Sequence, residues 1–150
     1  MKNMFLILVT LFFFTGCEEN ESTNQVSELI DTWKLTSFVN ESDNSIVTET
    51  DFNDSNEITI TFNSENDFTG TTIINTFLGG FSYDERDNKL MISTFSTTEV
   101  NENEWGNLFY ESLNMGYNQQ DSIWEFTYEI QNDTLKIYYD SQEYMTFEKL

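Results

Sequence analysis

Period-two alternation of apolar residues runs through the chain from Ile30 onward and leaves little choice of fold. Ile58, Ile60 and Phe62 fall on one face of an extended segment, with Thr59 and Thr61 opposite. Trp33, Leu35, Ser37 and Val39 share a face in the same way. So do Trp124, Phe126, Tyr128 and Ile130, and after them Leu135, Ile137 and Tyr139. Phe68 to Phe77, Gly80 to Tyr83, Lys89 to Phe95 and Tyr144 to Glu148 continue the series. β-Branched and aromatic residues in this rhythm suit half-buried antiparallel strands. Asn66-Asp67, Asp87-Asn88 and Asn132-Asp133 separate neighbouring runs, and both residue types tolerate the left-handed backbone of hairpin turns. The prediction is an all-β domain, a mainly antiparallel barrel or sandwich-like sheet.

One segment keeps a different period. Between Asn103 and Tyr117, the residues Trp105, Leu108, Phe109, Leu113 and Tyr117 recur at spacings of three and four. That is the apolar stripe of an amphipathic α-helix. Glu104, Asn107, Glu111 and Asn114 interrupt it toward solvent, and Asn101 followed by Glu104 offers a cap. This inserted helix is expected to plug one end or face of the sheet.

The amino-terminal end obeys neither period. Met1 to Asn3 form a short charged start, Met4 to Phe14 are apolar apart from Thr10, and Thr15-Gly16-Cys17 follow. A basic start, an apolar run of about 7–15 residues and a small-residue exit describe a secretory signal. A membrane-spanning helix needs roughly 20 apolar residues, more than this run supplies. Phe14-Thr15-Gly16-Cys17 resembles a lipobox, with Phe14 in place of the usual leucine, and Cys17 is the only cysteine in the chain. The reading is therefore a signal peptide over 1–16, Cys17 as the acylated first residue of the mature protein, a tether over 17–29, and one domain over 30–150. Each buried methylene contributes roughly 0.8 kcal/mol, so two or three acyl chains hold a protein on a membrane where one does not. Glu18-Glu19 resembles the acidic export signal of some surface lipoproteins and points to the outer or cell-surface membrane.

Charge and composition exclude much else. The formal charge is −21, one unit more negative once Lys2 leaves with the signal. Such a surface repels phosphate backbones, which excludes nucleic acid as a partner. The chain contains no histidine, so Ser-His-Asp and Cys-His nucleophile systems and the common zinc sites are not available to it. No glycine-rich phosphate loop is present, Gly79-Gly80 being read as lying between strands. Asp51 to Glu57 holds several oxygen donors, but against a calcium loop Asn56 stands where glycine belongs and Phe62 where the bidentate glutamate belongs. It reads as a solvated acidic loop. No cofactor, metal site or catalytic residue is assigned.

The middle of the chain resembles the META domain family (HslJ-like), which includes bacterial envelope lipoproteins. The residues that carry the resemblance are Gly70, Ile74-Asn75, Phe77, Gly79 and Phe81. Leu90 to Ser93, Thr97 to Val100, Phe109 with Leu113, and the closing Met145 to Lys149 extend it, and Trp33-Lys34-Leu35 resembles the family's opening. Ile74 replaces the family's cysteine, and the second family cysteine has no counterpart, so no redox role carries over. The resemblance implies an envelope protein that works without catalysis, through an unidentified protein partner or in envelope stress and maintenance. The alternative is a lipocalin-like lipoprotein that binds a small molecule in a barrel mouth lined by some of its aromatic residues, which make up 16% of the chain. The volume of the interior discriminates between the two.

Overall fold

The computed structural model describes residues 27–52 and 57–150. The expected signal peptide, Cys17, most of the expected tether and positions 53–56 of the acidic loop lie outside the described residues.

Strands β1 (Thr32–Asn40) and β2 (Ser45–Thr48) form a hairpin, followed by a single 3-10 turn at Glu49–Asp51. Next come β3 (Thr59–Phe62), β4 (Asp67–Thr71), β5 (Thr76–Asp84) and β6 (Lys89–Thr97). Helix α1 (Glu104–Met115) interrupts the strands before β7 (Tyr117–Asn118), β8 (Ile123–Gln131), β9 (Thr134–Tyr138) and β10 (Glu143–Lys149). Pairing runs β1–β3–β4–β5–β6–β8–β9–β10 and returns from β10 to β1, antiparallel throughout. Beyond the end of β3, the free edge of β1 is taken up by β2. The fold is mostly antiparallel sheet with one inserted helix, as the alternation predicts.

The three predicted turns form on asparagines with positive φ: Asn66 at 66°, Asn88 at 53° and Asn132 at 55°. Asn44 makes a fourth at 60°, in the β1–β2 hairpin. Alternation also places the core. Ile58, Ile60 and Phe62 are buried, as are Phe126, Tyr128, Leu135, Ile137 and Phe147. The packed region reaches back to Leu29, whose carbonyl accepts from Trp33 Nε1 at 3.0 Å, one residue before the expected start at Ile30.

Five local expectations are corrected. In β1 the register slips between Leu35 and Ser37, so Phe38 is buried and the expected Ser37 and Val39 are not. An extra residue in one strand reverses the faces beyond it. Phe68 to Phe77 is two strands, not one, broken between Thr71 and Thr76. Gly79 and Gly80 lie inside β5 rather than between strands. Helix α1 is capped by Asn103, not Asn101: the Asn103 side chain accepts from Gly106 N–H at 2.8 Å. Tyr117 has already left the helix, is 41% exposed, and packs on Trp124 from β7.

The helix stripe otherwise buries as expected. Trp105, Phe109 and Leu113 face the sheet, while Glu104, Asn107, Glu111 and Asn114 are exposed. Phe109 stacks on Phe77 with centroids 5.3 Å apart, and Phe77 in turn stacks on Phe95 at 5.6 Å. Trp105 meets Phe38 edge-on at 4.9 Å. Aromatic rings thus tie the helix to strands on both sides of the ring.

Candidate functional site

The residues that carry the family resemblance are packing devices in this fold. Phe68 on β4 lies opposite Gly79 on β5, and Gly70 lies opposite Phe77. Each glycine leaves the space its partner's ring occupies. A Cβ on Gly79 would sit 2.6 Å from Phe68 Cζ, and one on Gly70 would sit 2.2 Å from Phe77 Cζ. Two rings and two hydrogens fit together where four side chains would not.

Asn75 is a buried polar hub. Its Nδ2 donates to Val100 O and to Glu102 Oε2, both at 2.8 Å. Its Oδ1 accepts from Thr98 Oγ1 at 2.8 Å and from Val100 N–H at 3.0 Å. The Glu102 carboxylate also accepts from Ile74 N–H at 3.1 Å and from the Thr72 hydroxyl. The hub fastens the tight turn between β4 and β5 to the segment that leads into α1. Every polar atom of the Asn75 side chain has a partner, so its task is architectural. Ile74, which the resemblance sets against a family cysteine, is 49% exposed.

Open relief lies on the outside of α1. A depression of about 440 Å³ separates the helix from the 3-10 turn and β2, lined by Val47, Phe52, Leu108, Glu104, Asn107 and Glu111. Val47 and Leu108 also line a second depression of about 190 Å³, which continues toward Asn40, Ser112, Tyr139 and Glu143. Together they form one groove with an apolar floor and a carboxylate rim. Burial raises the Tyr139 hydroxyl above the usual tyrosine value, opposed in part by its hydrogen bond with Ser112. Phe52 stands against Trp105, centroids 5.4 Å apart, so the groove wall is braced from the core.

The acidic loop is engaged locally at its ends. Asp51 accepts from the Thr48 N–H at 2.7 Å and from its hydroxyl at 2.9 Å, and these bonds lower its carboxyl below the usual range. Glu57 pairs with Lys34 at 2.7 Å. Among the described residues, no three His, Cys, Asp or Glu side chains converge as metal ligands would.

Only part of the groove is visible in the sequence. Leu108 belongs to the predicted stripe but sits at its edge, half-buried. Val47 comes from β2 and Phe52 directly follows the 3-10 turn, neither of which alternation reveals. The signal available was Ile46-Val47, a β-branched pair directly after a turn at Asp43-Asn44.

The sequence matches no protein-family model and no curated protein. Several solved structures resemble the fold. A DUF4847 family protein from Bacteroides vulgatus superposes with a TM-score of 0.58 at 18% identity, over 80% of this chain and 92% of that one. The NMR structure of a protein from Burkholderia xenovorans gives 0.57 at 17% identity, over 81% and 84% of the two chains. At such identities the likeness establishes the architecture alone.

Proposed function

We propose that this chain is a non-catalytic, META-like lipoprotein of the cell envelope, held by lipid on Cys17 at the outer or cell-surface membrane. It works by protein contact, in interaction or envelope maintenance, rather than by carrying a small molecule. The observation that supports contact over carriage is the packing of the interior. Trp33, Leu35, Phe62, Phe68, Trp105, Phe109 and Phe147 fill the ring, each exposed by 1% or less. A partly open pocket beside α1, bounded by Ile92, Phe95, Tyr110, Leu113, Asn114 and Trp124, measures about 20 Å³. Ligand sites generally occupy about 300–1,000 Å³. Larger relief lies outside the ring, in the groove along α1, where a surface partner can reach it.

The anchor is tested by replacing its acceptor. Cys17→Ser is expected to abolish incorporation of labelled fatty acid and to leave an uncleaved precursor, since no other thiol can take the lipid. Wild-type labelling in that variant would remove the lipoprotein from the reading.

A further inference from the structure

The chemistry of the groove defines what can occupy it. Its rim carries Glu104 and Glu111, both exposed and seven residues apart on α1. Seven residues are two turns of helix, so the carboxylates stand about 10 Å apart along one wall. No basic side chain lines either depression. Lys34 is held by Glu49 at 3.2 Å and Glu57 at 2.7 Å, Lys149 by Asp31 at 2.7 Å, and Lys136 lies over the Tyr144 ring. Between the carboxylates, Val47, Phe52 and Leu108 present half-buried apolar surface.

Charge excludes the occupants nearest to hand. The chain's own segment from 18 to 26 contains Glu18, Glu19 and Glu21 with no base, so placing it there adds repulsion. A second copy brings a formal charge of −21 to the same rim. Like charges brought together at an interface cost several kcal/mol.

We propose that the groove between α1 and the β1–β2 hairpin docks a basic, amphipathic segment of a partner protein. Its aliphatic side chains rest on Val47, Phe52 and Leu108, and two of its cations pair with Glu104 and Glu111. In an extended segment, side chains two or four residues apart share a face at about 7 or 13 Å, and the long lysine stem lets two such cations meet the roughly 10 Å spacing. This assignment rests on the contact reading above and adds the chemistry of the partner.

Any strongly acidic protein attracts polycations, so the test must separate the groove from diffuse charge. The protein is the lipidated full chain in bilayers of neutral lipid. The probe is a short capped peptide that alternates lysines with leucines, compared with versions that carry serines for the leucines or glutamates for the lysines. Saturable one-to-one binding is expected for the first peptide, weakened about tenfold or more by either exchange. Val47→Glu makes the protein more acidic yet blocks the floor, and is expected to weaken binding about tenfold. Glu104→Gln with Glu111→Gln, both on the exposed face, is expected to weaken it and to flatten its salt dependence. Thermal melts of these variants confirm that each remains folded.

Tighter or unchanged binding by Val47→Glu would overturn the proposal, because diffuse attraction alone then accounts for it. Equal binding of the serine peptide, preference for the glutamate peptide, or no binding at all would overturn it as well. So would self-association that Val47→Glu abolishes. These outcomes leave the contact reading standing, since that reading falls instead if the interior takes up an apolar ligand.

Discussion

Phe109→Ala is expected to cost about 3–5 kcal/mol, through lost burial and the cavity left behind. Phe109 is 1% exposed and stacks on Phe77 at 5.3 Å, at the centre of the contact between helix and sheet. Few neighbours can move to fill the space, because the Phe77 ring is itself fixed by the room above Gly70. Domains of this size have about 5–15 kcal/mol of stability in total, so the variant should lose a large share of it. Glu111→Ala, on the exposed face of the same helix, should change stability by less than about 0.5 kcal/mol. Paired thermal melts measure both. A Phe109→Ala protein that melts with the wild type would mean that α1 does not depend on this face for its attachment.

Asn75→Ala is expected to be comparably damaging by a different route. The asparagine is 3% exposed and its side chain satisfies Thr98, Val100 and Glu102 at once. These bonds are part-buried, and several groups lose a partner at once, at about 1–3 kcal/mol for each that stays shielded from water, so the variant should lose on the order of 3 kcal/mol. Because the groups act as one network, Glu102→Ala should cost less in the Asn75→Ala background than in the wild type. Urea titration of the two single variants and the double variant reads this directly. Strict additivity, or an Asn75→Ala protein as stable as wild type, would show that the turn between β4 and β5 is held by something other than the hub.

What was legible in the sequence was local. Strand faces at Ile58–Phe62 and Trp124–Tyr139 follow from alternation because each strand has one face toward the core. Asn66, Asn88 and Asn132 announced their turns because few other residues accept positive φ. The break between β4 and β5 was hidden. Thr71-Thr72-Ile73-Ile74 continues a strand-like run of β-branched residues, and the bonds that bend it come from Val100 and Glu102, more than 20 residues away. The slip in β1 was hidden for a similar reason, since only the pairing with β10 reveals it.

The end of α1 was legible in principle. A Cβ on Gly116 would lie 2.3 Å from the Phe126 ring, so the glycine that ends the helix is required by packing. In sequence the apolar stripe continues one position past it, to Tyr117. The groove was not legible, because Val47, Phe52 and Leu108 meet only after the hairpin and the helix have folded onto the same sheet. Their charged neighbours Glu104 and Glu111 look, in sequence, like any solvated helix face.

Uptake of an apolar probe separates a packed interior from an open carrier cavity. The chain from Glu18 onward, made without signal or lipid, is titrated with the uncharged fluorophore N-phenyl-1-naphthylamine. A ring filled by Phe62, Phe68, Trp105 and Phe109 predicts no saturable rise in fluorescence at micromolar concentrations. One-to-one binding with a micromolar dissociation constant would contradict the account and restore the lipocalin-like carrier.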